Sequence, residues 1–291
     1  MRLGIFSNIS RDKGYEIAAC CADIIADRGS VAVFPEGMKE QDVLKNKRNV
    51  EFGSFAECDV IISIGGDGTL LSAVSEYRDL NIPFIGINKG SIGFLTEIDV
   101  PDLESDLDRV LNGQYEIAER SQLYVEIIDK DGNVREDFVC LNDCVVTRGA
   151  KLNIVKMDLW IDGQYVEKFY GDGIIVSTPT GSTAYCLAAG GPILMPHMRN
   201  MIVTPLCPHT LQRSGYCLTN SDVIEIKLQE FESAPIISGD GRTNLELKQN
   251  DTVRITGYKS SIKTITLGKQ GFFETVRSKI SASGSFYEHK K

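Results

Sequence analysis

The chain has 291 residues, of which 42% are hydrophobic and 24% are charged. These values are ordinary for a globular protein, and the length is sufficient for two domains that each bury a core. The net charge of −9 argues against a nucleic-acid surface. No apolar run approaches the roughly 18 residues that a membrane-spanning helix requires. We therefore expect two soluble domains that bind neither nucleic acid nor membrane.

The N-terminus and the cysteines indicate a cytoplasmic protein. The first residues, MRLGIFSNIS, predict a strand, because they lack the charged leader and long apolar stretch of a signal peptide. The eight cysteines include no CxxC pair, which favours reduced and mostly buried thiols. Cys140 and Cys144 could be imagined around zinc with a histidine, but their spacing matches no zinc motif. We expect neither zinc nor haem.

The first 113 residues alternate between apolar β-rich runs and stretches with apolar residues at helical spacing. Such alternation predicts a mostly parallel sheet with helices on both faces. The predicted strands are RLGIFS (2–7), VAVF (31–34), CDVIISI (58–64) and IPFIGIN (82–88). The predicted helices include Ile17 to Ile25, GTLLSAVSEY (68–77), and a stretch from Pro101 to Gly113.

After about residue 118 the pattern changes to hairpins. Two strands flank a DKDG turn within residues 122–147, and residues 157–170 repeat this arrangement around a DG pair. VIEIKL, DTVRITGY and SIKTITLG add further strands to a mainly antiparallel second half. We therefore predict a Rossmann-like parallel-sheet domain at 1–117 and an antiparallel β-sandwich-like domain at 118–270. We expect the tail, 271–291, to pack back on the first domain.

The motif GGDGTLL, at residues 65–71, directly follows a predicted buried strand. Ligands of open parallel sheets bind at the carboxyl ends of the strands, where glycines and a helix N-terminus can receive a phosphate. Asp67 would repel that phosphate unless it holds a metal or takes a proton from a hydroxyl being phosphorylated. Taken alone, the motif also fits a tight turn with Asp67 as a helix N-cap.

A second motif, GDGIIVSTPTGSTAYCLAAGGPI, spans residues 171–193. A predicted strand ends there in a turn rich in hydroxyl groups, and a helix of small residues follows. Thr180, Ser182, Thr183 and Tyr185 could surround a nucleoside, although each hydroxyl separately is also typical of a helix cap.

Six segments, taken in order, resemble the NAD kinase family over nearly the whole chain. TPTGSTAY is highly specific, whereas GGDGT is shared with diacylglycerol and sphingosine kinases. The segments are GGDGT, GSIGFLTE (90–97), LND (141–143), GDGIIVSTPTGSTAY, TPLCPHTL (204–211) and SGDG (238–241).

The resemblance implies transfer of a phosphoryl group from ATP, or from polyphosphate in some members, to the 2′-hydroxyl of the adenosine ribose of NAD, which gives NADP. It implies Mg²⁺ or another divalent cation on the donor, with no direct protein ligand assigned to the metal. It also implies a homodimer or homotetramer in which a neighbouring subunit can complete the pocket. We expect the site to draw on both domains.

The resemblance also assigns residue roles. Asp67 matches the proposed general base, and Gly66 and Gly68 match the loop that faces the phosphates. The remaining matched positions are those that bind the dinucleotide: Phe94, Asn142, Asp143, Asp172, Thr180, Thr183, Ala184, Tyr185 and Asp240.

Without the resemblance, several of these residues have simpler interpretations. Asn142 and Asp143 would fit a turn after a strand, Phe94 a core position, and the two DG aspartates ordinary turns. His209 is more typical of a hydrogen-bonded structural residue, so we place it outside the site. The residues after TPLCPHTL depart from the family pattern, which leaves any contact of Arg213 open.

Two alternatives remain at this point. A lipid kinase of the diacylglycerol type shares GGDGT, but the chain lacks a basic or apolar signature for a membrane surface. A protein that binds NAD without turning it over would not need Asp67. Assays with ATP and either NAD or a diacylglycerol separate the first alternative, and transfer from labelled ATP separates the second.

Overall fold

The computed structural model describes residues 1–89, 93–149, 153–209 and 214–284, with side chains up to residue 279 in the last helix. Two compact units are present. The first comprises Met1–Glu119 and the chain from Ile262 onward, and the second comprises Arg120–Ser261. Arg213 and residues 285–291 of the predicted tail lie outside the described residues.

The first unit is built on an eight-stranded sheet. Its path runs β3-β2-β1-β4-β5-β20-β7, with β6 paired to β5, and the pairings among β1 to β5 are parallel. The strands, numbered along the chain, are β1 (Arg2–Ser7), β2 (Val31–Phe34), β3 (Val50–Phe52), β4 (Val60–Gly65), β5 (Phe84–Asn88), β6 (Ile98–Asp99), β7 (Glu116–Arg120) and β20 (Ile262–Thr266).

Helices cover this sheet, as the sequence pattern predicts. Every residue of β4 and β5 is buried, which is the pattern of a parallel strand covered on both faces. None of the helices in the described ranges has the length and apolar composition that a membrane crossing needs. The helices of this unit are α1 (Glu16–Asp27), α2 (Asp42–Lys45), α3 (Asp67–Tyr77), α4 (Leu103–Leu111) and α6 (Phe272–Gly284).

Strand β20 differs from its sequence-based interpretation. Its pattern places it among the antiparallel strands of the second half, but Thr264 pairs in parallel with Phe84 of β5. Ile265 and Leu267 are buried in the core of the first unit with residues of β1, β4 and β5. A short apolar strand carries no local signal of the sheet it joins, because only the tertiary contacts decide this.

The second unit contains two six-stranded antiparallel sheets. One has the order β15-β14-β13-β10-β17-β18 and the other β12-β11-β16-β19-β8-β9. Their strands are β8 (Leu123–Ile128), β9 (Val134–Cys140), β10 (Asp143–Thr147), β11 (Val155–Ile161), β12 (Gln164–Gly171), β13 (Gly173–Ser177), β14 (Asn200–Leu206), β15 (Tyr216–Thr219), β16 (Ile224–Leu228), β17 (Ile236–Gly239), β18 (Thr243–Glu246) and β19 (Thr252–Gly257).

The two sheets share one core. Val146 and Ile174 from the first sheet pack in the same buried cluster as Leu159 and Ile226 from the second. A single short helix, α5 (Tyr185–Ala188), follows β13 in the described part of this unit. The predicted fold class, a parallel α/β sheet followed by a β-sandwich-like region, is confirmed. All eight cysteines fall within the described ranges and are free thiols, and five of them are buried.

Candidate active site

Asp67 is the first residue of α3, directly beyond the carboxyl end of β4. In the sheet, β1 lies between β2 and β4, so the order of the strands reverses beside β4. This reversal is the position at which open α/β sheets bind ligands. GGDGT therefore lies at the strand end where the sequence predicts a ligand.

The carboxylate of Asp67 does not cap its own helix. Gly66 is the N-cap residue of α3, and no side chain caps the helix there. Instead, Oδ2 of Asp67 accepts a hydrogen bond of 2.8 Å from the backbone N–H of Phe94, and Oδ1 accepts one of 3.0 Å from that of Leu95. The N-cap alternative is therefore wrong, and the side chain is held by a different loop.

The loop that holds Asp67 depends on Gly93. A Cβ at this position would lie 2.2 Å from Oδ1 of Asp67 and 2.1 Å from Oγ1 of Thr96, well inside van der Waals contact. By contrast, a Cβ at Gly66 or Gly68 would meet no atom within 4 Å. The space beside these two glycines is open, so the fold itself does not require them.

A lysine also reaches Asp67. The Nζ of Lys279, on α6, lies 3.6 Å from Oδ2 of Asp67 and 3.8 Å from the centroid of the Phe94 ring. Burial lowers the pKa of the Lys279 ammonium below its ordinary value, while the Asp67 carboxylate opposes part of that shift. Sequence reasoning missed this lysine, because nothing local distinguishes it from the other basic residues. The structure thus brings together Asp67, Lys279, Phe94 and the two open glycines.

Three motifs of the second unit meet at one end of one sheet. Strand β10 pairs antiparallel with both β13 and β17, so its first residues lie beside the last residues of those strands. Asp143 is opposite Ser177, and Cys144 is opposite Gly239. The LND, TPTGSTAY and SGDG segments, which are distant in sequence, are therefore adjacent in the fold.

Asp240 anchors the LND segment. Its carboxylate accepts backbone hydrogen bonds from Leu141 at 2.8 Å, Asn142 at 2.7 Å and Asp143 at 3.1 Å. The backbone of Asp240 is left-handed, with φ of 49°, and its own N–H donates to the carbonyl of Asp143 at 2.9 Å. Sequence analysis predicts only a turn or a ligand contact here, whereas the structure adds an architectural role.

The carboxylates of this cluster have raised pKa values. Burial, followed by the charge of Asp240, raises the pKa of Asp143 to about 7. Burial also raises the pKa of Asp240, although the three backbone N–H donors oppose that shift. Asp143 can therefore exchange a proton near neutral pH.

The TPTG turn packs directly on LND. The hydroxyl of Thr178 donates to the carbonyl of Leu141 at 2.6 Å, and its backbone N–H donates to the carbonyl of Asn142 at 2.8 Å. A Cβ at Gly181 would lie 2.1 Å from the carbonyl oxygen of Asn142, so this close approach requires glycine.

Two buried polar atoms on these touching segments have no hydrogen-bond partner, namely Oδ1 of Asn142 and Oγ1 of Thr180. Buried polar groups are normally satisfied, so these two atoms, at two predicted binding residues, are available to a ligand.

The rest of the turn is more varied. The hydroxyl of Ser182 donates to the carbonyl of Pro179 at 2.6 Å and accepts from Leu194 N–H at 3.0 Å, so it stabilises the turn itself. The Thr183 hydroxyl donates to the carbonyl of Thr180 at 3.2 Å. Ala184 and Tyr185 are exposed, and Tyr185 begins α5.

Asp172 is not brought to the turn. Asp172 directly precedes β13, whereas the turn follows β13. The five residues of this strand separate them by about 16 Å. Its carboxylate forms an ion pair of 3.0 Å with Arg148, which sequence reasoning missed. The backbone N–H of His209 donates to the carbonyl of Tyr170 at 2.7 Å, a structural contact at the same end of the sheet as Asp172.

Comparison with known proteins decides the family. The ATP-NAD kinase N-terminal domain matches residues 3–115, and the ATP-NAD kinase C-terminal domain matches residues 141–267. The chain belongs to the NAD kinase family. An NAD kinase from Ruminiclostridium cellulolyticum is 36% identical over 295 residues, a range that covers 100% of this chain and 99% of that protein.

Solved NAD kinase structures share the fold. The yeast NADH kinase complexed with NADH has a TM-score of 0.84 at 22% identity, covering 100% of this chain and 89% of that one. An NAD kinase from Archaeoglobus fulgidus in complex with ATP has a TM-score of 0.72 at 22% identity, covering 97% of this chain and 99% of that one.

Family membership confirms the predicted enzyme class. The chain is an NAD kinase, a phosphotransferase that uses ATP to phosphorylate NAD to NADP. The matches extend through the TPTGSTAY region, which decides against a lipid kinase that shares only GGDGT. They likewise decide against a binding protein without turnover.

Proposed function

We propose that Asp67 is the general base of NAD phosphorylation. The 2′-oxygen of the adenosine ribose bonds to the γ-phosphorus of ATP, the bond from that phosphorus to the β,γ-bridging oxygen breaks, and ADP leaves. The ribose proton passes to the Asp67 carboxylate. The fixed carboxylate beside the open glycines at the start of α3 is the observation that supports this role.

The position of Asp67 suits proton transfer. Each carboxylate oxygen can accept two hydrogen bonds, and Oδ1 and Oδ2 each accept one from the backbone of the 94–95 loop. These bonds fix the side chain in place before the substrate arrives, which lowers the entropic cost of orienting it. A general base of this kind contributes about 10² to 10⁴-fold to a rate.

The same end of α3 suits the donor's phosphates. The N-terminus of an α-helix carries unpaired N–H groups and a partial positive charge. Gly66 and Gly68 leave the space there open, so the backbone can approach phosphate oxygens without a side chain between them. We therefore propose that this unit performs phosphoryl transfer.

We propose that the second unit binds the dinucleotide. Oδ1 of Asn142 can accept a bond from a ribose hydroxyl or the adenine amino group, and the hydroxyl of Thr180 can donate or accept. Asp143 offers a carboxylate beside them, and Asp240 holds the LND backbone in place. Further contacts proposed from the family pattern are Phe94 with the adenine, Thr183, Ala184 and Tyr185 along the turn, and Asp172 with the far end of the dinucleotide.

The divalent cation of the reaction is proposed to arrive with ATP. In the described ranges, no cluster of three or more acidic, histidine or cysteine side chains is placed to hold a metal. Mg²⁺ commonly binds through substrate phosphates and keeps several waters. When bound with ATP, the cation would neutralise the charge that develops on the phosphates during transfer.

Replacing Asp67 by asparagine tests the assignment. D67N removes the proton acceptor but keeps the size and an oxygen acceptor, so we expect NAD affinity within about threefold of wild type and a kcat lower by about 10² to 10⁴-fold. Steady-state NADP formation and calorimetric NAD binding are the measurements. The control is D79N, because Asp79 is an exposed carboxylate just beyond the other end of α3. A kcat near wild type for D67N would reject the base assignment.

Four further points remain proposals for this chain. Polyphosphate as an additional donor and NADH as an additional acceptor are tested by measuring product formation with each pair of substrates. A homodimer or homotetramer is tested by light scattering of the purified protein, and a monomer would contradict it. A cytoplasmic location is tested by fractionating the source cells.

A further inference from the structure

The proposed base creates an electrostatic problem. Asp67 carries a negative charge beside the place where the phosphates of ATP are proposed to bind, and the protein as a whole has a net charge of −9. Like charges in a partly buried site are screened poorly by water. An efficient site therefore needs a cation that offsets the carboxylate without removing it.

Lys279 has the geometry for this task. Its ammonium lies 3.6 Å from Oδ2 of Asp67, and the side chains of the two residues are 19% and 30% exposed, respectively. The same ammonium lies 3.8 Å from the centroid of the Phe94 ring, within the range of a cation–π contact. The backbone N–H of Phe94 in turn donates to that same Oδ2 at 2.8 Å. Two groups from distant parts of the chain, the Lys279 ammonium and the Phe94 N–H, thus converge on one carboxylate oxygen.

Partial burial of the Lys279 ammonium costs free energy unless its charge makes a favourable interaction. A lysine normally keeps its ammonium in water, and partial burial of the charged form is unfavourable. Arg277, two residues earlier on the same helix, is exposed. Val276, on the same helix, is buried. The helix therefore has an apolar anchor of its own and does not need Lys279 for that purpose.

We propose that Lys279 is a positioning residue that compensates the charge of Asp67 and holds its carboxylate against the Phe94 loop. This compensation permits the phosphates of ATP to approach. This inference rests on the proposed role of Asp67. It assigns to the C-terminal helix a part in binding the phosphoryl donor. The adenosine ribose needs no such compensation, because it is neutral.

Substitution of Lys279 tests the proposal through a difference between the two substrates. K279M keeps a long unbranched side chain against Phe94 but removes the charge. We expect the KM for ATP to rise roughly tenfold or more, and the KM for NAD to stay within about threefold. K279R should retain most of the wild-type affinity for ATP. The control is R277M, which makes the same change in net charge on the exposed face of the helix and should leave both constants unchanged.

The outcomes separate this inference from the proposed function. If D67N loses turnover while K279M keeps a wild-type KM for ATP, the role of Lys279 is overturned and that of Asp67 stands. If D67N turns over normally, the proposed base is rejected, and the role of Lys279, which rests on it, is rejected as well. Equal increases in both KM values, as general loosening of the site would produce, would also overturn the role of Lys279.

A double-mutant cycle distinguishes compensation from direct binding of phosphate. Affinity for a non-hydrolysable ATP analogue is measured at saturating NAD in the wild type, D67N, K279M and the double variant. If Lys279 acts through Asp67, K279M weakens binding severalfold more in the wild-type background than in D67N. Equal effects in the two backgrounds would overturn the positioning role.

The pH dependence offers a readout that does not require K279M to fold. The Lys279 ammonium meets the Asp67 carboxylate at the start of α3 and the Phe94 ring. Burial lowers the pKa of Lys279, so its charge is lost at a lower pH than that of an exposed lysine. We expect kcat/KM for ATP to fall at alkaline pH in the wild type and to persist to higher pH in K279R. Superimposable alkaline limbs would overturn the proposal.

Discussion

Asp143 shows how the protonation of one buried residue affects the stability of the fold. Burial and the nearby charge of Asp240 raise its pKa to about 7 from an ordinary value of 3.8. Between these values the folded protein holds a proton that the unfolded chain has already released. The contribution of this group to the free energy of unfolding therefore falls as pH rises through that interval, with a slope of roughly 1.4 kcal/mol per pH unit.

D143N is expected to remove most of this dependence. Asparagine cannot ionise, so the variant should gain stability relative to the wild type as the pH is raised from 5 to 8. Chemical denaturation at several pH values measures the effect. Parallel stability curves for the two proteins across this range would show that Asp143 does not carry the shifted proton.

Replacement by alanine is expected to have opposite effects on stability at Gly68 and at Gly181. A Cβ at Gly68, in the first turn of α3, meets nothing within 4 Å, whereas a Cβ at Gly181 would lie 2.1 Å from the Asn142 carbonyl oxygen. G68A should leave stability unchanged or raise it by up to about 1 kcal/mol, because alanine favours a helix over glycine. It should nevertheless lower activity by placing a methyl group where we propose that phosphate binds.

G181A is the matched comparison. It should reduce the stability of the second unit and the affinity for NAD together, because the TPTG turn can no longer touch LND. Thermal melting and NADP formation are measured for both variants. An active G68A enzyme with wild-type ATP affinity would remove the argument that the open glycine serves the donor.

At the scale of elements, Asp240 determines the shape of a loop. Its carboxylate accepts three backbone N–H groups of the LND segment, between β9 and β10. D240A leaves these donors without their partner, so we expect a loss of at least about 2 kcal/mol in unfolding free energy. D240N keeps one oxygen acceptor and should lose less. Urea denaturation of both variants measures this order, and equal stabilities of D240A and wild type would contradict it.

Elements with strong local patterns were predictable, and contacts between distant elements were not. The buried run before GGDGT predicts β4, and the spacing after it predicts α3, because burial periodicity is a property of neighbouring residues. Asp12 illustrates the limit. Its carboxylate accepts the backbone N–H groups of Ile17 at 3.0 Å and Ala18 at 3.1 Å, at the start of α1, from outside the usual N-cap position.

The same limit applies to the site. The motifs predict Asp67, Asn142 and Asp143 as candidate site residues, because their residue types and order match the family. Lys279 and the anchoring bonds of Asp240 depend on tertiary geometry, which no local spacing encodes. The pairing of β10 with both β13 and β17 explains why three separate motifs meet, and strand pairing of this range is not visible in a single sequence.

At the scale of the whole molecule, an acidic chain carries out chemistry on anionic substrates. With a net charge of −9, it has no global attraction for ATP, so recognition must come from local groups. We propose that the start of α3, the glycines beside Asp67 and the ammonium of Lys279 provide such groups within the first unit. In the second unit, polar atoms of Asn142 and Thr180 are buried and unpaired.

The most direct test of the account is the rate of the chemical step itself. Single-turnover transfer from γ-labelled ATP to NAD, measured by rapid quench with enzyme in excess, is independent of product release. The account predicts that D67N transfers label about 10² to 10⁴-fold more slowly than wild type while still binding NAD. A single-turnover rate within about threefold of wild type would contradict the assignment of Asp67 as the base.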